Sequence, residues 1–457
     1  MAHPAKTRSR PRLGLTLALL AFSQFIIALD YNIVFVALPE IGAGLDFSAQ
    51  TLQWVVSGYA VAFGGFLLLG GRAADLLGRR RMFVLGMSLY AAGSLVGGLA
   101  TATWPLIAAR AAQGLGGALL FPATLALINT TFAEGRDRNR ALAVWSAASA
   151  VGLSLGSLLG GVLTNAFGWE SVFLVNVPLG LLGAVAAFPL LAADGPVDRQ
   201  RSFDLLGALT ATVGVTAVVF ALVQGPEVGW ADPSILTGVV LGAVLLVVFA
   251  RTEARSRDPL MPLRLLRHRS LVGAMAITAV FMATFGIQYY FLTLHFQQVL
   301  GFSALATGLA FLPQTLVTTV GTLTGERLIA RFGIRATLAS GLVLGAIGMG
   351  AVALAMSEQN GYLALLPGIV LLSLGQGFTW TGMWIAAGTG VAPAEQGVAS
   401  GMASTAQQVG GAVGLALLIA LAGTSTADGL RTAVAATAVI ALVGTLLALR
   451  AGRSADV

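Results

Sequence analysis

The chain has no cysteine, one lysine and three histidines. Without cysteine there is no disulfide, no thiolate metal site and no cysteine nucleophile. His3, His268 and His295 are too widely scattered to form a metal or catalytic cluster. No paired carboxylates fall within the apolar segments, so an enzyme is not expected. No G-x-x-x-x-G-K-[ST] loop occurs, which argues against ATP as an energy source, and no cofactor is expected. Charge is scarce as well. Only 10% of the 457 residues are Asp, Glu, Lys or Arg, against about 25% in a soluble domain.

What remains is apolar. Hydrophobic residues make up 57% of the chain and its mean hydropathy is +0.87. Fourteen apolar segments, from 13–38 to 430–449, each approach or exceed the roughly 20 residues needed to span hydrocarbon. If the N-terminus is cytoplasmic, 24 of the 26 Lys and Arg residues fall in the two tails and the even-numbered connections. That asymmetry is the positive-inside signal. Adding or dropping one span would scatter the arginines over both faces, so fourteen spans are expected, with both termini cytoplasmic, in the inner (plasma) membrane. The same topology accounts for the net charge of +7 without a nucleic-acid partner. The run at 13–29 follows basic residues as a signal peptide would, but it lacks a small-residue cleavage site and continues to Pro39, so it reads as an uncleaved first span.

Three weak internal matches follow one another in the same order. "RAADLLGRRR" resembles "RLIARFGIR" with Gly78 over Gly333, "AAQGLGGALL" resembles "LGQGFTWTGM" with Gly114 over Gly377, and "SAVGLSLG" resembles "QQVGGAVG" with Gly152 over Gly410. Their offsets are 255, 263 and 258 residues. Six helices repeated in parallel, with two inserted between the copies, make fourteen. The expected fold is therefore an all-α integral membrane protein: a six-helix bundle over 1–192, two inserted helices over 203–250 at the bundle's edge, a cytoplasmic linker over 251–269, and a second six-helix bundle over 270–457.

One acid, Asp30, lies deep in an apolar span. A charge there costs about 2.5–3.5 kcal/mol even on lenient insertion scales, so it needs a partner, water or a task. At 1.5 Å per residue, Asp30 lies about 12 Å from the outer end of its helix and Arg110 about 9 Å from the outer end of its own. They share a depth. Arginine keeps its proton, so Arg110 can modulate a proton site but cannot be one. Dehydration favours the neutral form of Asp30 and a nearby arginine favours its carboxylate, so moving Arg110 toward and away from it would empty and load the site. His295, near the outer end of its span, is a second titratable candidate, with a structural role as the alternative.

Four motifs resemble the major facilitator superfamily, and within it the fourteen-helix branch of drug:proton antiporters. "GGRAADLLGRRRMFVLG" is similar to the family's loop between helices 2 and 3, with Gly71, Asp75, Gly78, Arg79 and Arg80 in place. The resemblance makes this a cytoplasmic latch between the halves, closed when the cavity opens outward. Ala330 stands where Asp75 would in the second copy, so a single latch is expected. "RAAQG" matches the helix 4 motif with Arg110, Gln113 and Gly114. "GLSLGSLLGG" resembles the antiporter motif with Gly152, Gly156, Gly160 and Gly161, but Ser157 replaces its proline. A plain small-residue packing face is the other reading of those glycines. "ALDYNIVFVALP" is similar to the signature of this drug-transporter branch, with Phe35 at its asparagine position. The resemblance places helices 1 and 4 on a central cavity, with Asp30 and Arg110 facing across it or through water.

Substrate contacts are expected from Phe35 and Gln113, and from Phe281, Phe285 and Tyr289 on one face of helix 9 with Gln288 adjacent. Trp380 and Trp384 one turn apart, together with Gln314 and Gln407, complete the set. Ordinary helix packing is the alternative for each aromatic. A single buried acid suits small lipophilic compounds, neutral or singly charged. The leading expectation is a monomeric, proton-driven exporter of drugs or antibiotics, whose partners are that substrate, protons and the lipid bilayer. An importer of a small metabolite on the same fold and a membrane sensor without transport are the alternatives.

Overall fold

The structure, a computed structural model, describes residues 10–133, 136–194, 205–256, 259, 261–389, 391, 396–423 and 426–451. The ends of both tails, the 195–204 connection and part of the 251–269 linker lie outside the described residues. In hydrocarbon every backbone N–H and C=O must be satisfied inside its own segment, which leaves apolar runs of this length one solution, the helix. Among the described residues, twelve helices are long and apolar enough to cross a membrane, and there is no strand. One of the twelve runs from Ala304 to Ala355 and breaks at Gly333, whose φ of 82° is not helical. A further 20-residue helix, Arg79–Gly98, begins with three arginines and is not among the twelve.

The first part of the chain forms α1 (Arg10–Gly44), α2 (Trp54–Leu77), α3 (Arg79–Gly98), α4 (Thr103–Thr131), α5 (Arg136–Phe167) and α6 (Asn176–Leu190). Next come α7 (Leu205–Val228) and α8 (Pro233–Arg255). Asp232 caps α8, and its carboxyl is held below the ordinary carboxylate range by the Ser234 hydroxyl and N–H. The last part forms α9 (Arg269–Phe281), α10 (Gln288–Leu294), α11 (Ala304–Ala310), α12 (Leu312–Ala355), α13 (Tyr362–Gly388), α14 (Gln396–Ala422) and α15 (Ala427–Ala451). A π-helical turn, Met282–Gly286, joins α9 to α10, and a second, His295–Val299, follows α10.

The three glycine pairs of the repeat are alike, two in their contacts and one in its backbone conformation. Gly78 and Gly333 both turn the chain at positive φ, 112° and 82°, a conformation that disfavours any side chain. A Cβ on Gly114 would meet the Tyr59 carbonyl oxygen of α2 at 2.4 Å, and one on Gly377 the Thr318 carbonyl oxygen of α12 at 2.6 Å. Gly152 abuts Phe25 O of α1 just as Gly410 abuts Ala279 O of α9, at 2.5 and 2.6 Å.

The two sets of helices meet along α2 with α14 and along α5 with α11. In the first seam the Thr405 hydroxyl donates to Gly64 O at 3.0 Å. The inserted pair is not wholly peripheral. α7 packs on both α2 and α14, where Val61, Val219, Val223, Ala412 and Ala416 form a small buried core. Only α8, with most of its surface exposed, occupies the expected edge.

Candidate functional site

Asp30 on α1 is fully buried, and its Oδ2 accepts from Arg110 Nη1 of α4 at 2.6 Å. The matched depths therefore become a direct ion pair, not two charges facing across a cavity or bridged by water. Its other oxygen accepts from Asn176 Nδ2 at 2.8 Å and from Gln113 Nε2 at 3.3 Å. Arg110 in turn donates through Nε to Val55 O at 2.7 Å and through Nη1 to Gln113 Oε1 at 3.0 Å. Its guanidinium lies 4.6 Å from the centre of the Tyr59 ring, a cation–π position. Gln113 also reaches the Ser94 hydroxyl of α3 at 2.8 Å. The hydroxyls of Tyr59 and Tyr90 lie near Asp30.

The pattern of donors defines the chemistry. Three N–H groups point at Asp30, the donor set that a carboxylate accepts. Arg110 retains a carbonyl, an amide oxygen and an aromatic face if Asp30 is neutralised. Gln113, expected to meet substrate, is instead committed on both its amide atoms to this network. Asn176 and Ser94 were missed by the sequence reading, although Asn176 is the lone amide within its apolar span.

The glycines of α5 resolve as a packing face. Cβ atoms on Gly152, Gly156 and Gly160 would meet the carbonyl oxygens of Phe25, Leu29 and Ile33 at 2.5, 2.6 and 2.6 Å. The stripe therefore presses α5 onto the stretch of α1 that carries Asp30. Gly161 faces the other way, against Ala304 O. Ser157 is buried at the same seam, its carbonyl oxygen against Gly308.

Phe281 and Phe285 stay neighbours, with ring centres 5.2 Å apart, but Tyr289 leaves their face, because the π turn at Met282–Gly286 interrupts the 3.6-residue period. Phe285 packs into the notch above Gly345, whereas Tyr289 stacks on Phe35 of α1 with ring centres 6.2 Å apart. Phe281 contacts Trp380 at 5.5 Å, and Trp380 meets Trp384 edge-on at 5.8 Å. Gln288 Nε2 donates to Gln376 Oε1 at 3.5 Å, an oxygen that the Thr318 hydroxyl also reaches at 3.3 Å. Gln376 had not been singled out. Gln314 is fully buried with neither amide atom partnered, as are both ring nitrogens of His295, which lies apart from the ion pair in the second π turn. Gln407 is half-buried.

At the Gly78 loop, Arg79 lies 3.7 Å from Asp75, with both side chains well exposed. The close approach of α2 to α4 falls at Gly70, whose Cβ would strike Ala118 O at 2.0 Å. At Gly71 a Cβ would make ordinary contact with Pro122 at 3.6 Å. Gly78 precedes α3 with no side chain to cap it, and Asp194 supplies one from beyond α6, accepting the N–H groups of Arg80 at 3.0 Å and Arg81 at 2.9 Å. Arg80 lies over Phe188 of α6 at 5.0 Å. The cap is expected to contribute about 1 kcal/mol. Asp194→Ala is expected to lower the detergent melting temperature and Asp194→Asn, which keeps an acceptor, to restore most of it; equal melting of all three forms would remove the capping role.

Helices repeated in two copies around a buried polar centre define a membrane carrier of the secondary-transporter class. The model of the Major Facilitator Superfamily matches residues 20–415, and the chain belongs to that family. It is 39% identical to the cephamycin export protein CmcT of Amycolatopsis lactamdurans, covering 90% of this chain and 85% of that one. It is 40% identical to the puromycin resistance protein pur8 of Streptomyces alboniger, covering 89% and 81%. Among solved structures, the POT family transporter PepTSo aligns over 98% of this chain and 99% of its own with a TM-score of 0.72, at 16% identity, which speaks for the fold alone.

Proposed function

We propose that the chain is a proton-coupled exporter of lipophilic drugs or antibiotics that works by alternating access, with Asp30 as the proton carrier. The observation that carries this reading is the buried Asp30–Arg110 pair at 2.6 Å. The names of the relatives, which speak of export and antibiotic resistance, support the choice of substrate. Dividing the 304–355 helix at Gly333 and counting Arg79–Gly98 with the twelve supports fourteen spans, read as two six-helix halves with two inserted helices, and the arginine distribution favours the cytoplasm for both termini.

In this reading the ion-paired state is the deprotonated one. A proton reaching Asp30 removes the charge that holds Arg110, which falls back on Val55 O, Gln113 and the Tyr59 ring. Tyr31 follows Asp30 in α1 and contacts Tyr59, Phe35 and, through its hydroxyl, Met282 Sδ at 3.7 Å. That chain of contacts links the proton site to the aromatic seam between the halves, where Phe35, Tyr289 and Trp380, with Gln288, Gln376 and Gln314, supply stacking faces and amides for a flat, uncharged or singly charged compound. Asp75 pairs with Arg79 of its own half, as expected when the latch is undone and the cavity faces the cytoplasm.

The test is flux into proteoliposomes under an imposed pH gradient, with puromycin as the first probe. The parent chain is expected to exchange protons for drug, and Asp30→Asn to lose the proton dependence entirely. Full gradient-driven flux in Asp30→Asn would remove Asp30 from the mechanism.

A further inference from the structure

The contact between α1 and the α10 region changes character along its length. Deepest is the weak bond from the Tyr31 hydroxyl to Met282 Sδ at 3.7 Å. Next is the stacking of Phe35 on Tyr289. Both tolerate sliding. Last, toward the Gly44 end of α1, Gln297 Nε2 donates to Val36 O at 2.8 Å, a directional bond to backbone at a carbonyl whose residue is buried.

Two irregularities flank that bond, one in each half. Pro39 lies inside α1, where it removes the N–H due to Phe35 O, the carbonyl one residue before Val36, and loosens that turn. The Val36 carbonyl has a second lone pair to offer the Gln297 amide. On the far side, Gln297 lies in the His295–Val299 π turn. The widened turn shifts which side chain faces α1, and such turns gather at functional positions.

Just beyond the bond lies a cavity of about 280 Å³, lined by Pro39, Gly42, Phe47 and Leu52 of the first half and by Tyr290 and Leu294 among residues of the second. This is a small vestibule of mixed polar and apolar lining, with Gln298, the residue after Gln297, in its wall. We propose that Gln297 is the gating residue of the outer end: its carboxamide, carried on the π turn, holds the halves together through the Val36 carbonyl. It must let go before a substrate leaves through the vestibule. The proposal rests on the alternating-access reading.

The chain has no cysteine, so two labels can be placed without background. Trp104 and Leu363, 73% and 78% exposed at the vestibule end of α4 and α13, are replaced by cysteine and spin-labelled, and their distance distribution is measured in lipid nanodiscs. Gln297→Leu keeps the size of the side chain but cannot donate. It is expected to lower the ratio of closed to open molecules about fivefold, the effect of one net hydrogen bond. A monodisperse Gln297→Leu chain with the parent distribution overturns the proposal. If that variant does not fold, Gln297→Asn, one methylene short of Val36, gives the same reading. The distances are taken without drug or pH gradient, so absence of drug flux would remove the exporter reading alone, and an unchanged distribution would remove the gate alone.

Discussion

Arg110→Leu is expected to destabilise the protein by about 3–5 kcal/mol, the usual consequence of removing one partner from a buried ion pair. It would leave the Asp30 carboxylate enclosed with only the Asn176 and Gln113 amides donating to it. The reverse change is milder. Asp30→Asn leaves the guanidinium bonded to Val55 O and Gln113 and resting on Tyr59, so part of its charge stays compensated. The double variant Asp30→Asn, Arg110→Leu removes both charges and is expected to melt closer to the parent than Arg110→Leu does, while losing all proton-driven flux. Melting of detergent-purified protein, paired with the flux assay, checks both statements. An Arg110→Leu chain that melts with the parent would show that the pair is not electrostatically isolated. A double variant with gradient-driven transport would show that the pair is not the coupling element.

The second large effect is expected at Gly156. A valine Cβ there would lie 2.6 Å from Leu29 O and 3.0 Å from Asn32 Cβ, inside contact distance of backbone that has no rotamer to yield. Overpacking of this kind costs about 1–3 kcal/mol. Gly152 and Gly160 pin α5 to α1 one turn to either side, so the helix cannot tilt away locally. The displacement reaches Asp30, the residue after Leu29. Gly156→Val is therefore expected to lower melting and to abolish proton-driven transport even where some protein is recovered. Gly71→Ala is the control, since its Cβ meets only Pro122 at 3.6 Å; it is expected to fall within about 0.5 kcal/mol of the parent. Equal stability of the two variants would contradict the packing role of the α5 stripe.

Much of the fold could be read from the residues because bilayer physics leaves few options. Long apolar runs must be helices, arginines sort the loops, and three glycine pairs at a nearly constant offset point to the repeat; two pairs make matching backbone contacts and the third shares a positive-φ turn. That Asp30 and Arg110 face one another was legible from their shared depth together with the resemblance that sets helices 1 and 4 on one cavity; that they touch was not. Nor was the setting of the pair, because a hydrogen bond between Asn176 and Asp30 depends on how α6 is rotated, and one amide in an apolar run carries no address. Gln113 was given to the substrate for the same reason: sequence shows that an amide is buried, not which partner satisfies it. The face of Phe281, Phe285 and Tyr289 failed on geometry. A π turn adds a residue to a helical turn with no diagnostic side chain, so counting by 3.6 sends Phe285 and Tyr289 to the same side when they point to different neighbours. Asp194 escaped because it lies outside every apolar run.

One consequence of α7 concerns the membrane itself. A lipophilic compound already dissolved in the acyl chains can reach a carrier sideways, by slipping between its halves, as well as from water. α7 lies on both α2 and α14, and Thr212 presses so tightly on α2 that no Cβ would fit at Gly65. Along that flank α7 is packed on both sides of the seam, so lipid meets α7 and α8 there instead. If the chain exports lipophilic compounds as proposed, those taken from the bilayer are expected to enter by the α5–α11 flank.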